Sequence, residues 1–272
     1  MLEIDIFFII SLLLFFTGFI TGILAGFFGI GGGIIVVPVI YHLFNFLSFP
    51  ENISMHMAIG TSLATIIPAS LNSVIEHKKR SCVDVSLLNK WKYTILFGSL
   101  IGAVIAQLLD GKILIVFFAF FSLFVAIRMF FNKPYSNKTY NYLKSIQKII
   151  SFLIGSVSSL LGIGGGTLSV PLLLSCGRDI KKAVGTSSGI GFFISLPAAI
   201  IFLLAGLGVE NKPQYSLGFI SIIPFFLITL GTFVSVPMGV KIVHNFNDML
   251  IKRFFCLLLL ISAFKMLSDL VV

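Results

Sequence analysis

The sequence predicts an all-α polytopic membrane protein built from two inverted repeats of about five helical segments each, and three observations carry that prediction. Hydrophobic residues fill 57% of the 272 positions and charged residues only 11%, whereas a water-soluble domain needs about a quarter of its residues charged. Long runs pass without a single Asp, Glu, Lys or Arg. A glycine-rich motif with a following proline occurs twice, once in each half. Only helices and closed barrels satisfy their own backbone in lipid, and the short alternating strands of a barrel are absent from the pattern.

In chain order, the first uncharged run is Ile6 to Pro50, long enough for a full span, a break and a shorter helix. The runs Asn52 to Ile75, Tyr93 to Leu109 and Ile113 to Ile127 supply three further crossings, since about 20 apolar residues cover a ~30 Å hydrocarbon core. The second half repeats the order. Ile149 to Gly177 holds a segment, a break and a short helix, and Ala183 to Val209 and Pro213 to Val240 are further spans. A last helix carries Arg253 and Lys265. The two repeats are residues 1–134 and 135–272, with 8–10 membrane segments depending on whether the short helices cross fully. The N-terminus does not read as a cleavable leader, because Glu3 and Asp5 stand where a basic region is needed.

Most Lys and Arg residues cluster in four segments, around Lys78–Lys92, Arg128–Lys148, Arg178–Lys182 and Lys241–Arg253. Excess Lys and Arg mark cytoplasmic loops. The N-terminus and the loops at Ser48–Ser54, Asp110–Lys112 and Gly208–Gln214 are then external. The net charge of +9 is thus a topology signal, and nucleic acid is not required as a partner. Each half has two segments that return the chain to its starting side, then three crossings. The second half therefore enters from the opposite side, the plan of many secondary transporters.

The repeat is explicit. GILAGFFGIGGGIIVVP (Gly22 to Pro38) recurs as GSVSSLLGIGGGTLSVP (Gly155 to Pro171), AIGTS (Ala58 to Ser62) as AVGTS (Ala183 to Ser187), and AIRM (Ala126 to Met129) as AFKM (Ala263 to Met266). Each glycine costs a helix ~1 kcal/mol relative to alanine, so Gly31–Gly33 and Gly164–Gly166 break their helices. The helices after the breaks are too short to span: about 21 Å before Ser48 and about 15 Å from Thr167 to Cys176. Both breaks therefore lie inside the membrane, where the unpaired N–H groups of a helix start and its dipole form an anion site. Pro38 and Pro171 each remove an N–H and free a carbonyl. The packing role of small residues is the competing reading. Thr61, Ser62, Thr186 and Ser187 are hydroxyls that an anion can use, although such residues also bond their own helix.

GIGGG-x4-P in both halves with GTS between resembles the sulfite exporter TauE/SafE family, also called the toluene sulfonate uptake permeases, over nearly the whole chain. The resemblance implies a bacterial inner-membrane permease for sulfur-containing anions such as sulfite or sulfonates. Its motif falls on Gly29, Gly31, Gly32, Gly33 and Pro38, on Gly162, Gly164, Gly165, Gly166 and Pro171, and on Thr61/Ser62 and Thr186/Ser187. The first GTS follows His56 and the second follows Lys182, a departure between the halves.

No Asp or Glu falls in the middle of a span, which favours anions over cations and protons. Neither GxSxG nor HExxH occurs, so no enzyme chemistry is indicated. Cys82, Cys176 and Cys256 are scattered, giving no disulfide framework and no metal site, and no cofactor is implied. His56 reads as an interfacial residue and Lys265 as a snorkelling one that can pair with Asp269. The expected function is movement of a small anionic solute through the lipid bilayer by alternating access. A non-transporting scaffold and an anion channel are the alternatives.

Overall fold

The computed structural model describes residues 2–130, 146–243 and 248–271. The boundary expected between residues 134 and 135 lies outside them. The described residues form α1 (Leu2–Phe28), α2 (Gly33–Phe46), α3 (Glu51–Lys79), α4 (Val85–Leu108), α5 (Gly111–Phe130), α6 (Gln147–Leu160), α7 (Gly166–Ser175), α8 (Ile180–Ala205), a hairpin of β1 (Ser216–Leu217) and β2 (Ile220–Ser221), α9 (Ile222–Val243) and α10 (Asp248–Val271). Five of these helices are long and apolar enough to cross a membrane. The protein is an all-α polytopic membrane protein.

Its surface and interior are matched to lipid. Phe8, Phe233 and Leu108 stand 67%, 67% and 80% exposed, while Ser54, Ser62, Ser99, Ser187 and Thr167 are fully buried. In hydrocarbon the outward face needs apolar side chains, and small polar residues hold the helices together inside.

Two of the long helices start on aspartate side-chain caps, while α3 and α6 start without one on Pro50 and Ile146. Asp84 caps α4 by accepting from the Leu87 N–H at 3.0 Å, and Asp179 caps α8 by accepting from the Lys181 N–H at 3.1 Å. The short helices α2 and α7 begin on Gly32 and Gly165 with no side-chain cap.

Prolines inside the helices leave carbonyls that other elements serve. Pro38 cannot donate to Ile34, and the buried Ser262 hydroxyl of α10 donates to the Ile34 carbonyl instead, at 2.9 Å. Pro237 likewise frees the Phe233 carbonyl, which accepts from the Asn72 amide of α3 at 3.1 Å.

The packing is crossed between halves. The glycine strip Gly18, Gly22 and Gly26 of α1 abuts Ile228, Thr232 and Val236 of α9, so the two helices run parallel. Gly98 and Gly102 of α4 abut Phe152 and Ser156 of α6 in the same sense. α3 and α8, which carry the two GTS motifs, run antiparallel: Gly60 lies by Phe202, and His77 by Gly185. α5 packs on α10. Exchanging each helix of one half for its counterpart in the other reproduces these contacts, and the counterparts α3 and α8 point in opposite directions.

Candidate functional site

The two glycine breaks meet at the centre of the molecule. α1 stops at Phe28, and Gly29, Gly31 and Gly32 take left-handed backbone angles (φ 67°, 71° and 85°) before α2 begins. Gly162 has the same φ of 67° as Gly29, its counterpart, but Gly165 is right-handed at φ −54°. The first break thus needs glycine at more positions than the second.

The reason for the remaining glycines is close approach. A Cβ on Gly33 would overlap the Gly162 carbonyl, one on Gly164 the Ile30 carbonyl, and one on Gly166 the Ile30 backbone. The starts of α2 and α7 are therefore in backbone contact with the opposite break. Both are positive helix ends without side-chain caps, and together they place two half-charges near one point. The groups nearest the breaks, from Thr21, Ile30, Ser62, Ile66, Val184 and Ile190, carry no formal charge.

The GTS hydroxyls divide into two pairs. Ser62 donates to the Gly162 carbonyl at 2.8 Å, and Ser187 donates to the Gly29 carbonyl at 3.2 Å. Each serine thereby ties its helix to the other half's break. Ser187 also shares a 2.6 Å hydrogen bond with the Ser169 hydroxyl of α7. The threonines face the loops: Thr61 accepts from the Ser221 N–H and Thr186 from the Asp84 N–H, each at 2.9 Å. A hydroxyl that accepts keeps its own proton to donate. All four residues are at most 1% exposed. The structure thus brings the glycines and serines together, and sets the threonines one residue back on α3 and α8, against the segments leading into α9 and α4.

Two further residues have surroundings set by tertiary packing. His56 is covered by the protein: it is 8% exposed. Its Nδ1 lies 2.6 Å from the Asn52 carbonyl and its Nε2 3.0 Å from that of Ala106, with the ring beside Phe219. Tertiary packing of α4 and the hairpin covers it. Lys265 is exposed but stands away from the glycines, on a groove between α1, α2 and α10. The side chain of Asp269, its expected partner, lies outside the described residues.

Other residues of the centre escaped the sequence reading. His77, in the last turn of α3, has Nε2 2.9 Å from the Gly26 carbonyl at the end of α1, serving a carbonyl that the break leaves without a helical N–H. Ser73 and Ser188 join α3 to α8 at 2.8 Å. The GxxxGxxxG strip at Gly18, Gly22 and Gly26 is the one signal that pointed to such packing. The histidine and serine pairings carry no sequence signal, because they depend on which helix lies opposite.

Comparison with known proteins bears on this arrangement. The family described as sulfite exporter TauE/SafE matches residues 14–266. A probable membrane transporter protein of Haemophilus influenzae is 31% identical over 94% of this chain and 97% of its own length. One from Methanocaldococcus jannaschii is 30% identical over 85% of each chain. A sulfite exporter TauE/SafE family protein 6 of Arabidopsis thaliana is 36% identical over 30% of this chain and 18% of its own. No solved structure matches.

Proposed function

The chain belongs to the sulfite exporter TauE/SafE family, and from that premise we propose that this multi-pass membrane transporter moves a small oxyanion or sulfonate by alternating access. The observation that carries the reading is the meeting of two uncapped helix starts at the paired glycine breaks. Each supplies roughly half a positive charge, so the pair offsets about one negative charge without a buried Lys or Arg. Such a site binds weakly enough to release its solute. Gly29, Gly31–Gly33, Gly162 and Gly164–Gly166 form the backbone of that site. Pro38 and Pro171 support the breaks, and Ser62, Ser187, Thr61 and Thr186 supply the hydroxyls.

The contact between breaks corresponds to a closed state, from which the solute gains access when the helices around the breaks shift. The repeats at 1–134 and 135–272 then exchange roles between the two access states, in a bacterial inner membrane with the basic loops cytoplasmic and the N-terminus outside. The test is flux into proteoliposomes, preceded by a thermal-shift screen of purified protein against sulfite, thiosulfate, sulfate, sulfonates and carboxylates. Stabilisation and flux confined to sulfur oxyanions or sulfonates support the reading. Equal indifference to every anion returns the glycines to a packing role and favours a scaffold.

A further inference from the structure

A groove of about 630 Å³ runs along α1, α2 and α10, walled by Leu24, Phe28, Pro38 and Leu257 and carrying His42 and Lys265. Its volume is that of a small-molecule site, about 300–1,000 Å³, yet it opens sideways between helices. Leu257 and Ile261 on its rim are 57% and 62% exposed, so its open side faces the lipid. The Ser262–Ile34 hydrogen bond fixes the height of α10 against α2. Since α1 and α9 are parallel, their returning successors α2 and α10 also run together. Lys265 lies about 4.5 Å beyond Ser262, and α10 ends about 9 Å further on.

A lysine at that height extends its ammonium along the groove toward the nearer membrane surface, leaving its stem on the apolar wall. Among the described residues no carboxylate lies within ion-pair distance of it. An ionisable side chain in a membrane protein is held by a polar partner, and in an open groove a lipid phosphate can supply one. The groove thus has an apolar floor and a cation at the end nearest the headgroups, which are the two ends of one lipid molecule. The quasi-equivalent groove between α5, α6 and α7, about 380 Å³ and lined by Phe124, Leu153, Pro171 and Ser175, is smaller and has no charged residue in its lining.

We propose that the α1–α2–α10 groove is a binding site for one anionic phospholipid, with an acyl chain along Leu24, Pro38 and Leu257 and the phosphate paired with Lys265. This site is distinct from the glycine breaks and does not depend on the transported solute. The lipid wedges between α2 and α10, so its occupancy stabilises the short helix that starts at the first break.

Native mass spectrometry of the full chain in detergent tests this with palmitoyl-oleoyl phosphatidylglycerol and the matching phosphatidylcholine. The wild type retains one phosphatidylglycerol and prefers it by about fivefold, the worth of one lysine against an anionic lipid. Lys265→Met abolishes the preference while retaining chain binding, and Lys112→Met, outside the groove lining and paired with Glu51, keeps it. Leu257→Trp, a change on the lipid-facing rim, fills the groove and weakens both lipids. Equal binding of the two lipids by the wild type overturns the proposal, as does an unchanged preference in Lys265→Met. Displacement of the lipid by millimolar inorganic phosphate overturns it too, since Lys265 would then serve free oxyanions.

Discussion

Ser262 shows how one hydroxyl is set by one missing proton. Pro38 leaves the Ile34 carbonyl without its helical donor, and Ser262 replaces it from another helix. Ser262→Ala should therefore lower stability by about 1 kcal/mol, a typical worth for such a bond. In a Pro38→Ala background the helix regains its own N–H, and the same change should cost far less. Thermal unfolding of the four proteins in detergent measures the coupling, and equal costs in both backgrounds would refute the compensation. Half of this was legible: the proline announces an orphaned carbonyl, but nothing in the sequence says that Ser262 reaches it. His56 teaches the same limit. Its place at a helix start reads as interfacial, and only the arrival of Ala106 and Phe219 from distant segments covers it.

At the scale of the element, the breaks themselves were readable because glycine runs have a local cost that no neighbour removes. α2 with 14 residues and α7 with 10 are as short as the spacing between glycine motif and next loop requires. The difference between the breaks was not readable, since GIGGG is identical in both. Gly32 has φ 85°, a conformation that side chains resist at about 1–2 kcal/mol. Gly165 has ordinary helical angles, and a Cβ there meets side-chain atoms, Cγ2 of Ile190 and Cδ1 of Ile194. We expect Gly32→Val to reduce folded protein more than Gly165→Val. At matched membrane levels both should abolish flux, while Gly208→Val, in open space, should be silent. Normal flux in both glycine variants would remove the breaks from the transport site.

For the whole molecule, the duplicated motifs showed that the halves correspond, but not that each half's first helix packs on the other half. The proposed orientation is tested by impermeant maleimide labelling of single cysteines in intact cells. Asp110→Cys and Glu210→Cys should label, and Cys82 only after permeabilisation; the reverse pattern would overturn the orientation. Asp110 is chosen over Gly111, whose backbone abuts Asn52 and Glu51. Partial burial pushes the Cys82 thiol above its ordinary pKa, and Asp179 adds to this while Lys181, Lys182 and Arg80 oppose it. Less thiolate is then present near neutrality, so Cys82 labelling in permeabilised cells should quicken as pH rises.

The crossed packing also imposes an order in time. α1 lies on α9, and roughly two hundred residues separate the end of the one from the start of the other. At about 5–20 residues per second of synthesis, the first helix waits some 10–40 seconds in the bilayer before its partner exists. Through that interval its strip of Gly18, Gly22 and Gly26 faces lipid tails or whatever insertion factor shields it. Assembly of this protein is a question of custody: the nascent first half must be kept from pairing elsewhere until the ribosome delivers the second.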